Sequence, residues 1–366
     1  NEAADKMGVD VMRWMYSIQN PEQNLLFGYE KAKEIRKRLI TIWNVYSFFV
    51  TYARLDEFDP SIKVKKDHFT QLDRWIIAKM DKLIFMATES YDSFRVDRFM
   101  KRVDKFLDDF SNWYVRRNRR RFWKSENDDD KNAAYLTLYT VLKKLILILS
   151  PVIPFATEKI YQNLVRGLEP NEPDSIHLNS FPKVVADDID EKLIKEMDSV
   201  VKTVEMGRHA RNKASLKIRQ PLKKLLFATE DSAMAEAILS NKDQILDELN
   251  IKTIERVSSY SDLLTRELKP NYATIGEKFS DRVKDIALTI KNFSYKEFEE
   301  KFGSSTSITL SCNGKKCKLE KQDFIISEQS IKGKSSVSQG DLIVSVTTEL
   351  SKDLIQEGYI REIIRS

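Results

Sequence analysis

Apolar residues recur three and four positions apart through most of the first half of the chain. Leu72, Trp75, Ile76, Met80, Leu83, Ile84 and Ala87 keep that spacing, and Val103, Phe106, Leu107, Phe110, Trp113 and Tyr114 repeat it. Such a period predicts helices with one buried face. Residues 29–166 contain no glycine, and proline there is confined to Pro60, Pro151 and Pro154. A stretch that long without glycine reads as long helices. The pattern places them at Met7–Gln19, Gly28–Arg54, Leu72–Ser90, Arg95–Trp123, Ala133–Leu149 and Phe155–Val165. Asn127–Asp130 reads as a loop that caps the following helix, and Ser150-Pro-Val-Ile-Pro154 forces a bend between two apolar ones. Together these pieces predict an antiparallel helix bundle.

Composition shifts near Gly167–Pro182, where Gly167, Pro170, Pro173 and Pro182 cluster as a linker. An amphipathic helix follows from about Asp188 to Lys213. Beyond it come short β-like runs at Lys224–Thr229, Ile251–Ser258, Ser307–Cys312, Asp323–Ser327 and Leu342–Thr348, with Gly314 as a hairpin turn. Helical stretches at Asp231–Asn241, Asp281–Lys291, Tyr295–Phe302 and Lys352–Arg365 alternate with them. The predicted fold class is mainly α: a helix bundle over 21–183, preceded by a short segment 1–20 and followed by a smaller mixed α/β domain over 184–366, with helix 188–213 as the link.

The chain has 366 residues, 32% of them charged and 42% hydrophobic. That composition excludes a disordered chain. The longest apolar run, near Leu145–Leu149, is far short of the roughly 20 residues a bilayer span needs. Two cysteines, Cys312 and Cys317, cannot frame a chain this size with disulfides, and C-x4-C lacks the four ligands of a structural zinc site. They read as two reduced thiols of a cytoplasmic protein. His68, His177 and His209 stand in no metal-binding spacing. No metal site and no catalytic residue is expected. A start without methionine or an apolar leader, and a last helix without a cap, read as a piece of a longer chain.

The net charge of +5 hides an uneven distribution. Lys101–Lys124 carries nine basic and three acidic residues, and Arg208–Lys224 carries seven basic residues and no acid, so the rest of the chain is acidic. The first block reads Ser111-Asn-Trp-Tyr-Val-Arg-Arg-Asn-Arg-Arg-Arg-Phe-Trp-Lys124. At helical spacing Trp113, Arg117, Arg120 and Lys124 line one strip with Arg116 beside it, and Arg121 falls next to Tyr114 and Asn118. Five arginines within six residues repel one another, so carboxylates of neighbouring helices or phosphates must offset them. Arginine grips phosphate bidentately, and interleaved Trp and Phe can stack on unpaired bases. The opposing reading is a bundle helix whose arginines pair internally and whose aromatics are core; periodicity puts Phe110 and Trp113 in the core. Arg116, Arg117, Arg119, Arg120, Arg121 and Lys124 are the candidate RNA contacts, with Trp113 and Trp123 stacking or supporting the helix. In the second block Arg208, Arg211, Lys217 and Arg219 are candidates; basic residues at a helix C-terminus also suit its dipole, but they continue into the loop beyond.

Two motifs mislead. Lys332-Gly-Lys-Ser-Ser336 contains the G-K-S of a phosphate-binding loop, but that loop needs a glycine where Glu328 stands; it reads as a polar turn. The acidic residues Glu57, Asp59, Asp187, Asp188 and Asp190 identify no acid–base pair and read as solvated faces.

The block Ser111–Trp123 closely resembles the signature helix of the anticodon-binding domain of the isoleucyl-tRNA synthetase family, of class I. Asn1–Met15 resembles the segment just after that family's K-M-S-K-S loop. Phe69-Thr-Gln-Leu-Asp-Arg-Trp-Ile-Ile77 resembles its L-D-R-W-I helix start, Leu149–Glu158 its L-x-P-x-x-P-F-x-x-E turn, and Arg208–Leu222 its R-x-x-R…L-K-x-R-Q-P-L segment. The ordered match covers most of residues 1–275 and continues more weakly to Glu362. The resemblance implies a C-terminal fragment: a helical anticodon-binding domain and an α/β extension, holding isoleucine tRNA at its anticodon stem and loop. It lacks the H-I-G-H motif, a true K-M-S-K-S and an editing domain, so the fragment by itself is expected to be non-catalytic. ATP and magnesium would belong to the parent catalytic domain, with no cofactor in the fragment. The two cysteines do not match the zinc module of some bacterial relatives; the C-terminal form resembles the branch shared by eukaryotic cytosolic enzymes and some bacteria. The implied partners are isoleucine tRNA and the parent's catalytic and editing domains, with no membrane, in a cytoplasmic monomer. The alternative function is a helical protein–protein scaffold that docks an acidic partner. An independent hydrolase is disfavoured because no nucleophile–base arrangement is present.

Overall fold

A computed structural model describes residues 2–123, 126, 128–303 and 305–364. The chain divides into two compact units, Asn1–Met197 and Asp198–Ser366.

The first unit is helical. Its helices are α1 (Glu2–Met7), α2 (Val9–Ser17), α3 (Tyr29–Leu55), α4 (Gln71–Asp92), α5 (Val96–Asp108), α6 (Arg116–Trp123), α7 (Asp129–Leu149) and α8 (Pro154–Leu164); α9 (Glu191–Lys213) begins here and carries the chain across the division. Helix α4 starts on a capping box, in which Thr70 accepts from the Asp73 amide and Asp73 accepts from the Thr70 amide. Helix α7 starts on Asp128, whose side chain accepts from the Lys131 amide; Asn127, part of the expected capping loop, lies outside the described residues. Pro154 takes the first position of α8, where its missing N–H costs nothing.

Helix α7 is the centre of the bundle. It is long and apolar enough to cross a bilayer by length and composition, a property missed by counting consecutive apolar residues alone. Most of its apolar stretch is buried by its neighbours, as in the core helix of a globular unit. Buried Lys131 reaches Asp56 at 2.6 Å, and Tyr135 donates to the same carboxylate, so α7 is tied to the end of α3.

The expected single helix Arg95–Trp123 is interrupted. Between α5 and α6 the backbone widens into a π-helical turn, Asp109–Val115. The reason lies in what must be buried. Phe110 and Phe122 are both in the core. Twelve residues of regular α-helix would turn Phe122 about 120° away from Phe110. One inserted π residue takes back about 100° of that rotation. Within the turn Asp109 is buried against Lys79, and Phe110 stacks on Tyr114 with ring centroids 6.2 Å apart.

The second unit mixes helices and sheet. Its four-stranded sheet has the order β2-β1-β8-β7, from β1 (Leu222–Ala228), β2 (Ile251–Arg256), β7 (Lys334–Gln339) and β8 (Leu342–Thr347). Strands β1 and β2 are parallel, joined through α10 (Ser232–Ser240) and α11 (Lys242–Leu249), whereas the other pairs are antiparallel. A second cluster packs α12 (Tyr272–Phe279), α13 (Val283–Lys291) and α14 (Tyr295–Phe302) with the pair β3 (Leu264–Pro270) and β6 (Phe324–Ser330) and the hairpin β4 (Ser307–Cys312) and β5 (Lys315–Glu320). The hairpin turns at Asn313-Gly314, both with positive φ, as the glycine there foretold. Helix α15 spans Lys352–Ile363; Arg365, the expected end of that helix, lies outside the described residues.

The Lys332–Ser336 segment differs from the expected polar turn. Only its start turns, and Lys334–Ser336 open strand β7. Ser335 and Ser336 are buried, and their hydroxyls donate to the carbonyls of Ala210 and Leu263. A polar strand whose hydroxyls find internal acceptors leaves no apolar alternation to read. Strand β3 and helices α11 and α12 were likewise absent from the sequence pattern. Cys312 and Cys317 are free and buried, and burial followed by the Cys317 contact pushes the Cys312 thiol up.

Candidate nucleic-acid interface

The arginine-rich helix α6 is held by one of its own arginines. Arg121 Nη1 lies 2.9 Å from both carboxylate oxygens of Asp73, and Arg121 Nε lies 2.8 Å from Asp130. Asp73 is fully buried and also accepts from Tyr114 Oη at 2.6 Å. Its remaining acceptor capacity goes to Thr70, through both the amide and the hydroxyl. Asn118 completes the anchor, accepting from Arg121 at 3.1 Å and donating to the Tyr114 carbonyl. Burial works against the Arg121 charge, but Asp73, Tyr114 and Asp130 more than offset it, so the guanidinium stays above its ordinary value. Burial, and then the Asp73 carboxylate, push the Tyr114 hydroxyl well above its own. One carboxylate thus caps α4, binds the π turn and fixes α6.

This anchor corrects part of the expected site. Arg121 is an internal clamp, not a phosphate contact, because its guanidinium is committed to buried Asp73 and to Asp130 beside it. Trp113, only 4% exposed, takes the supporting one of its two expected roles, with the Arg117 guanidinium 5.2 Å from its ring centroid. Lys124 lies outside the described residues.

What remains outward is a narrower strip. Arg116, Arg119, Arg120 and Trp123 are exposed, Trp123 at 56%. They stand at i, i+3, i+4 and i+7, one face of the helix. Arg116 Nε donates to the Asn112 carbonyl, which holds its stem along the helix. Among the described residues Arg119 and Arg120 form no ion pair, and the Arg119 guanidinium lies 5.9 Å from the centroid of Phe48 on α3. Phe48 and Tyr52, both half-buried, have ring centroids 5.0 Å apart. Sequence reasoning missed this pair. Its one signal was the i, i+4 aromatic spacing on α3, which reads equally well as core.

The second basic block divides in the same way. Arg211 is 1% exposed, and its Nη2 donates to the carbonyls of Lys217 and Gln220. Burial pulls its guanidinium down to about 10, still protonated at neutral pH. No described residue accepts from its Nε or Nη1. Arg211 therefore shapes the loop and is not a surface contact. Arg208 pairs with Glu248, while Lys217 and Arg219 are exposed on the loop, with Lys217 3.3 Å from Glu362. Arg211→Leu removes the donor to two loop carbonyls, so amide hydrogen exchange of residues 214–220 is expected to accelerate at least tenfold while strand β1 keeps its protection. Unchanged exchange in that loop would remove Arg211 as its organiser.

Among the described residues no group of three or more His, Cys, Asp or Glu could hold a metal ion. The geometry offers an anchored cationic helix face bordered by aromatic rings, the equipment of a surface that grips a polyanion with unpaired bases.

Comparison with known proteins agrees with that class. Residues 73–226 match the anticodon-binding domain of tRNA ligase, a match that begins at Asp73 and includes all of α6. The chain is 35% identical over 99% of its length to isoleucine–tRNA ligase of Clostridium tetani and 35% identical over 98% to that of Clostridium kluyveri. It is 33% identical over its full length to isoleucine–tRNA ligase of Treponema pallidum. These alignments cover 35%, 34% and 34% of the relatives, so the chain spans about a third of the length of the curated proteins it matches. The whole chain is a relative of isoleucine–tRNA ligases.

Proposed function

We propose that this chain is the portion of an isoleucine–tRNA ligase that holds isoleucine tRNA at its anticodon stem and loop. The observation that carries the reading is the outward strip Arg116, Arg119, Arg120 and Trp123 on a helix that Arg121 anchors from its other side. Exposed guanidinium groups bind phosphates bidentately, and binding energy of that kind positions the RNA. Arg208, Lys217 and Arg219 of the second unit are candidates for phosphate contacts of their own. On this reading the charging of isoleucine tRNA is the work of the whole ligase. ATP and magnesium would act in its catalytic domain, and these residues would need no cofactor. The same reading makes the protein a cytoplasmic monomer.

Footprinting of isoleucine tRNA with the whole chain tests the proposal. Protection confined to the anticodon arm is expected, and affinity should fall with salt with a log–log slope of magnitude about 4–6, for about five to seven phosphates contacted. A flat salt dependence, or protection elsewhere on the tRNA, would leave the alternative of a scaffold for an acidic protein.

A further inference from the structure

We propose that Phe48 and Tyr52 of α3, together with Arg119 of α6, form a stacking site for one unpaired base. This rests on the reading of α6 as an RNA-binding face and adds a second element to it. With Trp113 buried, Trp123 is the one tryptophan of the basic block left open. The rings that adjoin the arginine strip from outside that helix belong to α3.

Phe48 is held in place from below. Its ring meets the fully buried ring of Phe122 edge-on, with centroids 5.3 Å apart and planes at 84°. Tyr52 stands one turn further along α3, tilted against Phe48. A ring fixed by the core and left half-open is a platform already oriented, so little side-chain entropy is lost when a flat ligand lands on it. The Arg119 guanidinium over Phe48 is the third part. A planar cation beside an aromatic face attracts a π system and can close over it. Arg119 has no ion pair among the described residues to hold it back.

The chemistry selects the ligand. An acidic peptide would use the arginines and gain nothing from two adjacent rings. A nucleotide presents a flat base and a phosphate together, which matches a ring platform beside Arg119, on the helix face that also carries Arg116 and Arg120. Base-paired RNA keeps its bases in the helix, so the site takes an unpaired base, such as one splayed from a loop.

The test uses the whole chain and two RNA probes: the anticodon stem-loop of isoleucine tRNA, and the same stem as a plain duplex with no unpaired bases. Binding is measured by fluorescence anisotropy across a salt series for wild type, Phe48→Leu, Tyr52→Leu and Phe48→Tyr. Phe48→Leu should weaken the stem-loop about tenfold and leave the duplex unchanged. The salt slope should not change, because no charge is removed. Phe48→Tyr keeps a ring and should bind the stem-loop within about twofold of wild type. Thermal unfolding checks each variant, and Tyr52→Leu supplies the same comparison if Phe48→Leu does not fold. Equal losses on both probes, no loss on either, or a loss in Phe48→Tyr as large as in Phe48→Leu overturns the stacking site. Salt-independent binding or no binding of wild type to either probe overturns the RNA reading itself, and the stacking site with it.

Discussion

Asp73→Ala is expected to lower the unfolding midpoint of the first unit by roughly 6–20 °C, the counterpart of about 3–5 kcal/mol. The size follows from what the substitution leaves behind. The Arg121 guanidinium, 11% exposed, would lose the buried carboxylate that its Nη1 donates to and keep only Asp130, itself about a third exposed. The buried Tyr114 hydroxyl would lose its acceptor, and Thr70 its partner in the capping box. Asp73→Asn keeps the shape but not the charge and should cost nearly as much. Replacing both partners, Asp73→Leu with Arg121→Met, should recover a large part of the loss, because the cost of an orphaned buried ion exceeds the net worth of the pair. Calorimetry of the four proteins measures the coupling. A midpoint for Asp73→Ala within about 2 °C of wild type would contradict the anchoring role.

Substituting Arg116, Arg119 and Arg120 together by alanine should leave stability nearly untouched and weaken RNA binding roughly a hundredfold or more at 0.1 M salt. The three side chains are exposed, so each change is expected to alter stability by no more than about 0.5 kcal/mol, and relief of like-charge repulsion along α6 acts in its favour. The magnitude of the salt slope should fall by about 2–3, since each phosphate contact removed takes about 0.7–0.9 from it. The pairing of this result with that for Asp73→Ala separates two roles of one arginine-rich segment: one substitution set removes binding without unfolding, the other unfolds without touching an exposed charge. Arg121→Ala should group with Asp73→Ala in a melting experiment. If it instead behaves like the exposed arginines, the internal clamp is wrong.

Much of the fold was legible because helices announce themselves through spacing. The runs around Trp75 and Phe106 bury every apolar residue that their period selects except Leu72, which is half-buried. The proline bend at Ser150–Pro154 and the Asn313-Gly314 hairpin followed from residues with few backbone options. Strand β7 was not legible, because Ser335 and Ser336 satisfy their hydroxyls internally and read as surface. Nor was the π turn, since the spacing of Phe110, Tyr114, Asn118 and Phe122 looks helical at each step and only the sum over three steps departs from an α-helix.

The basic block was visible, but the division of labour within it was not. Repulsion among five neighbouring arginines required carboxylates or phosphates to offset it, and the structure divides the answer. Arg121 turns to Asp73, forty-eight residues away in the chain, while Arg119 and Arg120 remain outside. Likewise Arg211, one of seven cations in a segment without an acid, is sealed inside by its own loop.

The sequence by itself determined that a helical bundle precedes an α/β region and that two short segments concentrate positive charge, because periodicity and charge are local properties of a chain. Which arginine is buried and which rings on another helix border the cationic face were decided only by tertiary structure. Each depends on a partner distant in the chain and on the rotation that the π turn imposes between α5 and α6.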